Sequence, residues 1–304
     1  MSQTKFTLPA FAKINLTLRV LGRRADHYHE IQTVFQTISL HDSLTFEPLT
    51  DERFELTCSD LEIPTDESNL VRRAATALRE RFRVCRGARV ELCKRIPAGG
   101  GLGGGSSDAA VALLGLTRLW KIRASKSELA DIGAGLGADV PYFFTGGTAL
   151  GTGTGTIVTP LEDALRRHLV VIAPRVKVST ADAYEALKSP ALTKADSPVM
   201  LPISRTEPEF SGSLHEVVHN DFERVIFELY PEIESASEAL LRLGARRAML
   251  SGSGSSVFGI FDDFVEAEKA RDALASEIDW RVFACSTLTR AEYFKELGGL
   301  AELL

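Results

Sequence analysis

The sequence predicts an α+β protein of two domains, and three observations carry that prediction. Segments that alternate apolar and polar residues with a period of two are interleaved with segments whose apolar residues recur every three to four positions, so strands and helices mix along the chain. At 304 residues and 44% hydrophobic, the chain holds enough apolar material for about two cores. A polar, charged stretch at 159–167 interrupts the pattern and sets the division into 1–163 and 164–304.

Residues 11–21 alternate Ile14, Leu16, Leu18 and Val20 with Lys13, Asn15, Thr17 and Arg19, the pattern of a strand with one buried face. Lys13 and Asn15 share the face opposite the core, where a strand lysine is ordinarily a solvated charge. The polar connection GRRADHYHE at 22–30 leads into strands over 31–48 and 53–59. Tyr28 and His29 at its end read either as loop decoration or as binding residues. Residues 69–82 carry Leu70, Ala74, Ala77 and Leu78 on one helical face, and 89–96 alternate as a strand that runs into Pro97.

The stretch PAGGGLGGGSSDAA at 97–110 has six glycines in seven positions, followed by two serines, an aspartate and an apolar helical segment. Glycines allow positive φ and let backbone N–H groups approach a ligand closely. Ser106 and Ser107 suit the N-cap of the helix that follows, whose unpaired N–H groups and positive dipole end favour an anion. The stretch reads as a phosphate cradle, with a ligand-free glycine turn as the plainer alternative. Gly99, Gly101 and Gly104 fit G-x-G-x-x-G, but the following KIRASKSELADIGAGLG is helical, without the second strand and acidic residue of a dinucleotide site. The chain contains no Gly-Lys pair, so a Walker A loop is excluded.

The helix over 109–116 is apolar on nearly every side and is expected at the centre of its domain. Another helix spans 127–136. Asp139, ahead of Val140 and Pro141, caps a short helix, presents a carboxylate to a cleft, or does both. Gly and Thr alternate at 146–158 as strand, tight turn and strand. The second half begins with a strand at 168–173, a helix near 181–187 and a Pro/Ser-rich connector at 189–213. Phe222, Val225, Ile226 and Leu229 mark one helix; Ile233, Ala236, Leu240 and Leu243 mark the next, closed by Gly244. Strands at 248–250 and 257–261 grip the loop SGSGSS at 251–256, which argues against a flexible linker. A helix over 264–278 and a strand over 280–285 complete the chain.

Net charge is −6 with no Lys/Arg-rich block, so nucleic acid is not an expected partner. Cys58, Cys85, Cys93 and Cys285 form no C-x-x-C pair and read as reduced thiols. The first residues lack a basic flank followed by an apolar core, and no apolar run approaches the length of a membrane span, so a soluble cytoplasmic protein is expected.

In order and spacing, AFAKINLTLRVLGRRADHYHE, PAGGGLGGGSSDAA, GADVPYFFTGGTALGTG and MLSGSGSSVFGIF resemble the GHMP kinases, a superfamily of sugar and alcohol kinases. The resemblance spans essentially the whole chain. The glycine loop and SGSGSS carry the superfamily; AKINL, YHE and GADVPYF narrow it to the branch whose acceptor alcohol carries a cytidine diphosphate. What it implies is a ribosomal S5-like N-terminal domain packed on a ferredoxin-like C-terminal domain, with ATP between them. The implied reaction is Mg²⁺- and ATP-dependent phosphorylation of the 2-hydroxyl of 4-diphosphocytidyl-2-C-methyl-D-erythritol in non-mevalonate isoprenoid synthesis, without an obligate protein partner.

By the same resemblance, Pro97, Ala98, Gly99, Gly100, Gly101, Leu102, Gly103, Gly104, Gly105, Ser106 and Ser107 hold the ATP phosphates, with Asn69 and Lys94 near the nucleotide. Lys13 and Asp139 match the catalytic pair: Asp139 accepts or orients the hydroxyl proton and Lys13 favours the developing alkoxide. Tyr28 and His29 match residues that hold the cytidine, and Tyr184 closes on the other face of the base, a stacking worth about 1–3 kcal/mol. Asn15 and Thr180 help place the substrate, and Gly252 and Ser253 line the acceptor side. The family usually has Asp-Gly-Tyr-His where this chain has Asp26-His27-Tyr28-His29; if that turn needs positive φ, His27 strains it by about 1 kcal/mol. A GHMP kinase for mevalonate, phosphomevalonate or homoserine needs no base sandwich, so Tyr28, His29 and Tyr184 argue against it. Lys13 and Asp139 together argue against a nucleotide-binding regulator without chemistry.

Overall fold

Two long antiparallel strands organise the molecule: β1 (Phe6–Arg23) and β2 (His29–Leu49). They belong to a computed structural model that describes residues 5–188, 219–298 and 300; the connector expected at 189–213 lies outside the described residues. β2 changes neighbours along its length. Its first half pairs with β5 (Thr148–Thr152), which in turn pairs with β6 (Ile157–Pro160); its second half pairs with β4 (Gly87–Cys93). β3 (Phe54–Cys58) lies parallel to β4 and reaches it through α1 (Leu70–Phe82).

α2 (Gly104–Trp120) is buried along nearly its whole circumference, as its composition requires, and packs with α1 against Phe46, Val90 and Leu92 of the sheet. It begins earlier than the serines suggest. Gly103 is its N-cap, in the left-handed region with φ 70°, and neither serine caps it: Ser106 and Ser107 fall in its first turn. α3 (Lys126–Leu136) is opened by a capping box of Ser125 and Glu128.

The second sheet contains β7 (His168–Pro174), β9 (Arg247–Leu250), β10 (Val257–Phe261) and β11 (Trp280–Ser286), all antiparallel in the order β11-β7-β10-β9. With α4 (Thr180–Leu187), α5 (Glu223–Leu229) and α6 (Pro231–Arg242) between β7 and β9, and α7 (Phe264–Leu274) before β11, this is the ferredoxin-like arrangement. Alternation along β7 decides what each face meets. Val170 and Ile172 pack under Ile226, Ile233 and Leu240; Leu169 and Val171 join Ile14, Leu16 and Ile38 of the first sheet in a shared core.

That shared core explains one departure from the sequence reading. The alternation of β1 does not leave Lys13 in solvent: Lys13 is 3% exposed, because both faces of the strand are covered. Register shifts between Phe11 and Lys13 and between Asn15 and Thr17 set the strand against its partner irregularly at this point.

Two elements have no counterpart in the sequence reading. β8 (His219–Asn220) adds a two-residue parallel pairing to β1, and α8 (Arg290–Glu296) returns from the second sheet to the first core. There Tyr293 is fully buried and its hydroxyl donates to the carbonyl of Phe143 at 2.5 Å. Among the described residues no helix is long and apolar enough to cross a membrane.

Candidate active site

A cleft of about 1270 Å³ opens between the two sheets, and its wall includes Lys13, Asn15, Tyr28, His29, Gly101, Gly103, Ser106, Asp139, Thr180, Tyr184, Gly252 and Ser253. Residues from β1, the glycine loop, the position just ahead of the 3₁₀ turn Val140–Phe144, α4 and the second Gly-Ser loop thus meet in one place. Pro97, Ala98, Gly99, Gly100, Leu102, Gly104, Gly105 and Ser107 complete the glycine loop outside that wall.

The loop is held by its carbonyls. Leu102 O accepts from the backbone N–H of Lys13 at 2.9 Å, Gly101 O from the hydroxyl of Ser251 at 3.0 Å, and Gly100 O from the N–H of Ser256 at 3.1 Å. A Cβ on Gly101 would lie 2.0 Å from the Ser251 carbonyl, so this glycine is required by the approach of the second loop. The first intrahelical bond of α2 runs from Ser107 N to Gly103 O at 2.9 Å, which leaves the N–H groups ahead of it without helical partners. They form the anion-attracting end of a rigid, buried helix.

Asp139 precedes the 3₁₀ turn without capping it through its side chain. Its carboxylate instead faces Lys13, with Nζ to Oδ2 at 3.4 Å. The same ammonium donates to Asn15 Oδ1 at 2.8 Å, Asn15 Nδ2 donates to Thr33 Oγ1 at 2.7 Å, and Thr33 donates to the carbonyl of Thr17 at 2.6 Å. That chain of donors fixes the Asn15 amide with its oxygen toward the lysine. Thr33 was not singled out by the sequence, where it is one threonine of a strand.

Across the cleft, the SGSGSS loop is fastened by Asn220, whose amide donates to Leu250 O at 2.9 Å and Gly252 O at 2.8 Å. The hydroxyls of Thr180 and Ser253 lie 3.2 Å apart.

Residues 69–147 match the GHMP kinases N terminal domain, and residues 209–279 match GHMP kinases C terminal. The 4-diphosphocytidyl-2-C-methyl-D-erythritol kinase of Prosthecochloris aestuarii is 43% identical over 272 residues, covering 89% of this chain and 94% of that protein. The chain belongs to this kinase family. A crystal structure of a 4-(cytidine 5'-diphospho)-2C-methyl-D-erythritol kinase superposes with a TM-score of 0.78 at 34% identity, covering 93% of this chain and 99% of that one. A homoserine kinase from Cytophaga hutchinsonii, with a TM-score of 0.68 at 18% identity over 95% of this chain and 96% of that one, shares the fold. As a GHMP kinase the chain uses ATP.

The turn between β1 and β2 carries Tyr28 and His29, the residues expected to hold the cytidine. Arg24 N donates to Tyr28 O at 2.7 Å and His27 N to Arg24 O at 3.1 Å, closing a turn in which His27 adopts φ 70°. The position is left-handed, as the usual glycine there suggests. Tyr28 is 67% exposed at the rim. His29 stacks directly on Tyr184, with ring centroids 4.4 Å apart and planes at 16°, while Tyr184 meets Phe222 edge-on at 4.9 Å. The ring of His29, expected to hold the cytidine, thus covers one face of Tyr184 in this arrangement. Burial, and then the charge of Arg23, hold the His29 imidazole below its usual pKa. Burial, with the Asp139 carboxylate adding to it, pushes the Tyr184 phenol up to about 12.

Asn69 and Lys94 lie outside the cleft wall. Asn69 is the N-cap of α1; its Oδ1 accepts from Val71 N at 2.8 Å and its Nδ2 donates to Pro64 O at 2.7 Å. Lys94 is buried between Asp42 and Asp108. Among the described residues no three His, Cys, Asp or Glu side chains group as a metal site.

Proposed function

We propose that this cleft transfers the γ-phosphoryl group of ATP to the 2-hydroxyl of 4-diphosphocytidyl-2-C-methyl-D-erythritol. The observation that carries the reading is the Lys13–Asp139 pair, which lines one cleft together with Gly101, Gly103 and Ser106 of the glycine loop and the stacked rings of His29 and Tyr184. Phosphoryl transfer asks the protein mainly for positioning and charge stabilisation. Asp139 takes or orients the proton of the attacking hydroxyl, and the Lys13 ammonium offsets the charge that grows on that oxygen. The N–H groups at the start of α2 and the hydroxyl of Ser106 hold the phosphates. Asn15, Thr180, Gly252 and Ser253 place the methylerythritol. Tyr28, His29 and Tyr184 take the cytidine.

Asp139 and Ser106, hard oxygen donors in the cleft wall, would face a Mg²⁺ ion carried by ATP, and such an ion would add positive charge to the transferring group.

The test is Mg²⁺-dependent ADP release with the cytidine-bearing alcohol as acceptor and mevalonate and homoserine in parallel. Turnover confined to the first supports the reading. Turnover with either of the others refutes the substrate assignment.

A further inference from the structure

The glycine loop is anchored beneath by an ionic cluster that lies outside the cleft. Asp42, fully buried on β2, uses one oxygen to accept from Arg95 N at 2.5 Å and Ile96 N at 2.8 Å, the two residues just ahead of Pro97. Its other oxygen receives the ammonium of Lys94 at 2.5 Å, and the same ammonium donates to Asp108 on the first turns of α2 at 2.8 Å. The entry of the loop at 94–96 and its exit at 108 are thus joined through one cation. Gly104, where the loop becomes helix, rests on the same group: a Cβ there would lie 3.3 Å from Lys94 Nζ and 2.9 Å from Ile96 Cγ2.

The cluster is poorly suited to a role in stability alone. Two carboxylates share one cation, the second oxygen of Asp108 has no partner, and the side chains of Asp42, Lys94 and Asp108 are 0, 6 and 5% exposed. Buried ion pairs of this kind gain little over apolar groups of the same volume. What they supply is fixed geometry at both ends of a loop whose residues are nearly all glycine.

We infer that Asp42, Lys94 and Asp108 are positioning residues for ATP, an internal clamp that holds the phosphate loop in its binding shape without touching the nucleotide. The inference rests on the loop being the ATP site. It differs from a role for Lys94 as a direct ATP ligand, because that role requires the ammonium to be available and the clamp requires it to be engaged.

The experiment is Asp108→Asn, isosteric and still able to hydrogen-bond, with Kd measured by calorimetry for a non-hydrolysable ATP analogue and separately for 4-diphosphocytidyl-2-C-methyl-D-erythritol. The clamp predicts an ATP-analogue Kd raised at least 5-fold, with the alcohol Kd within twofold of wild type. An unchanged or lower ATP-analogue Kd overturns it, since freeing Lys94 then does no harm. Equal weakening of both ligands also overturns it and marks the cluster as merely structural. If Asp108→Asn does not fold, the paired Lys94→Gln/Asp108→Asn variant, which removes the cation and one of its two carboxylates together and keeps Asp42, is expected to show the same ATP-specific loss. Absence of ATP-analogue binding by the wild-type protein removes the ATP site itself, a failure recognisable before any variant is made.

Discussion

The ammonium of Lys13 lies 3.4 Å from the carboxylate of Asp139, and the backbone N–H of that same lysine donates to Leu102 in the glycine loop at 2.9 Å. One residue of β1 therefore ties Asp139 to the glycine loop. On the proposed reading, its side chain and its main chain serve the two ends of a single reaction path. Any shift of the glycine loop is transmitted to Lys13 through that backbone bond.

On the proposed reading, cytidine reaches the face of Tyr184 by displacing the His29 ring that stacks on it here. Tyr184→Ala removes the ring that the base takes over, so KM for the cytidine-bearing alcohol is expected to rise roughly 5- to 150-fold, the equivalent of about 1–3 kcal/mol of stacking. KM for ATP stays within twofold. Tyr184→Phe keeps the ring and is expected to behave as wild type; steady-state kinetics with each substrate varied in turn check both.

His27 holds φ 70° at the turn between β1 and β2. A side chain in that region costs about 1–2 kcal/mol, while glycine gives back roughly 0.5–1 kcal/mol through its freer unfolded chain. His27→Gly is therefore expected to stabilise the protein by about 0.5–1 kcal/mol. Chemical denaturation at fixed pH measures it; a variant less stable than wild type contradicts the account of this turn.

Burial pushes the Asp108 carboxyl up to about 7 from 3.8, against the opposing pull of Lys94 and with Asp42 reinforcing the rise; Cys58, on β3, is also within electrostatic reach. Between those two values the folded protein keeps a proton that the unfolded chain has lost, so stability falls as pH rises through that window. Asp108→Asn removes this slope. Denaturation curves at pH 5 and pH 8 are expected to converge in the variant relative to wild type, and an unchanged pH dependence contradicts the assignment.

What the sequence disclosed and what it hid follow from the range of the interactions involved. Local periodicity located β1, α2 and the strands around SGSGSS, and the glycine run marked its loop without reference to the rest of the chain. Lys13 was different: its own strand pattern placed it in solvent, and only the packing of a second sheet and the glycine loop around β1 buries it. The reason for Gly101 was equally hidden, because the group that excludes a Cβ is the carbonyl of Ser251, far along the chain. Asn220 works through two carbonyls of a distant loop and leaves no local mark. α8 was legible in principle: Thr289 and Glu292 form a capping box three residues apart, but only seven residues of helix follow.

Asp139→Asn tests the central claim most directly, because the change is isosteric at a carboxylate that makes no capping bond. The account predicts a fall in kcat of about 10²- to 10⁴-fold, the usual contribution of a positioned general base, with the affinity for an ATP analogue within twofold of wild type. Turnover at the wild-type rate would remove Asp139 from the chemistry and contradict the account.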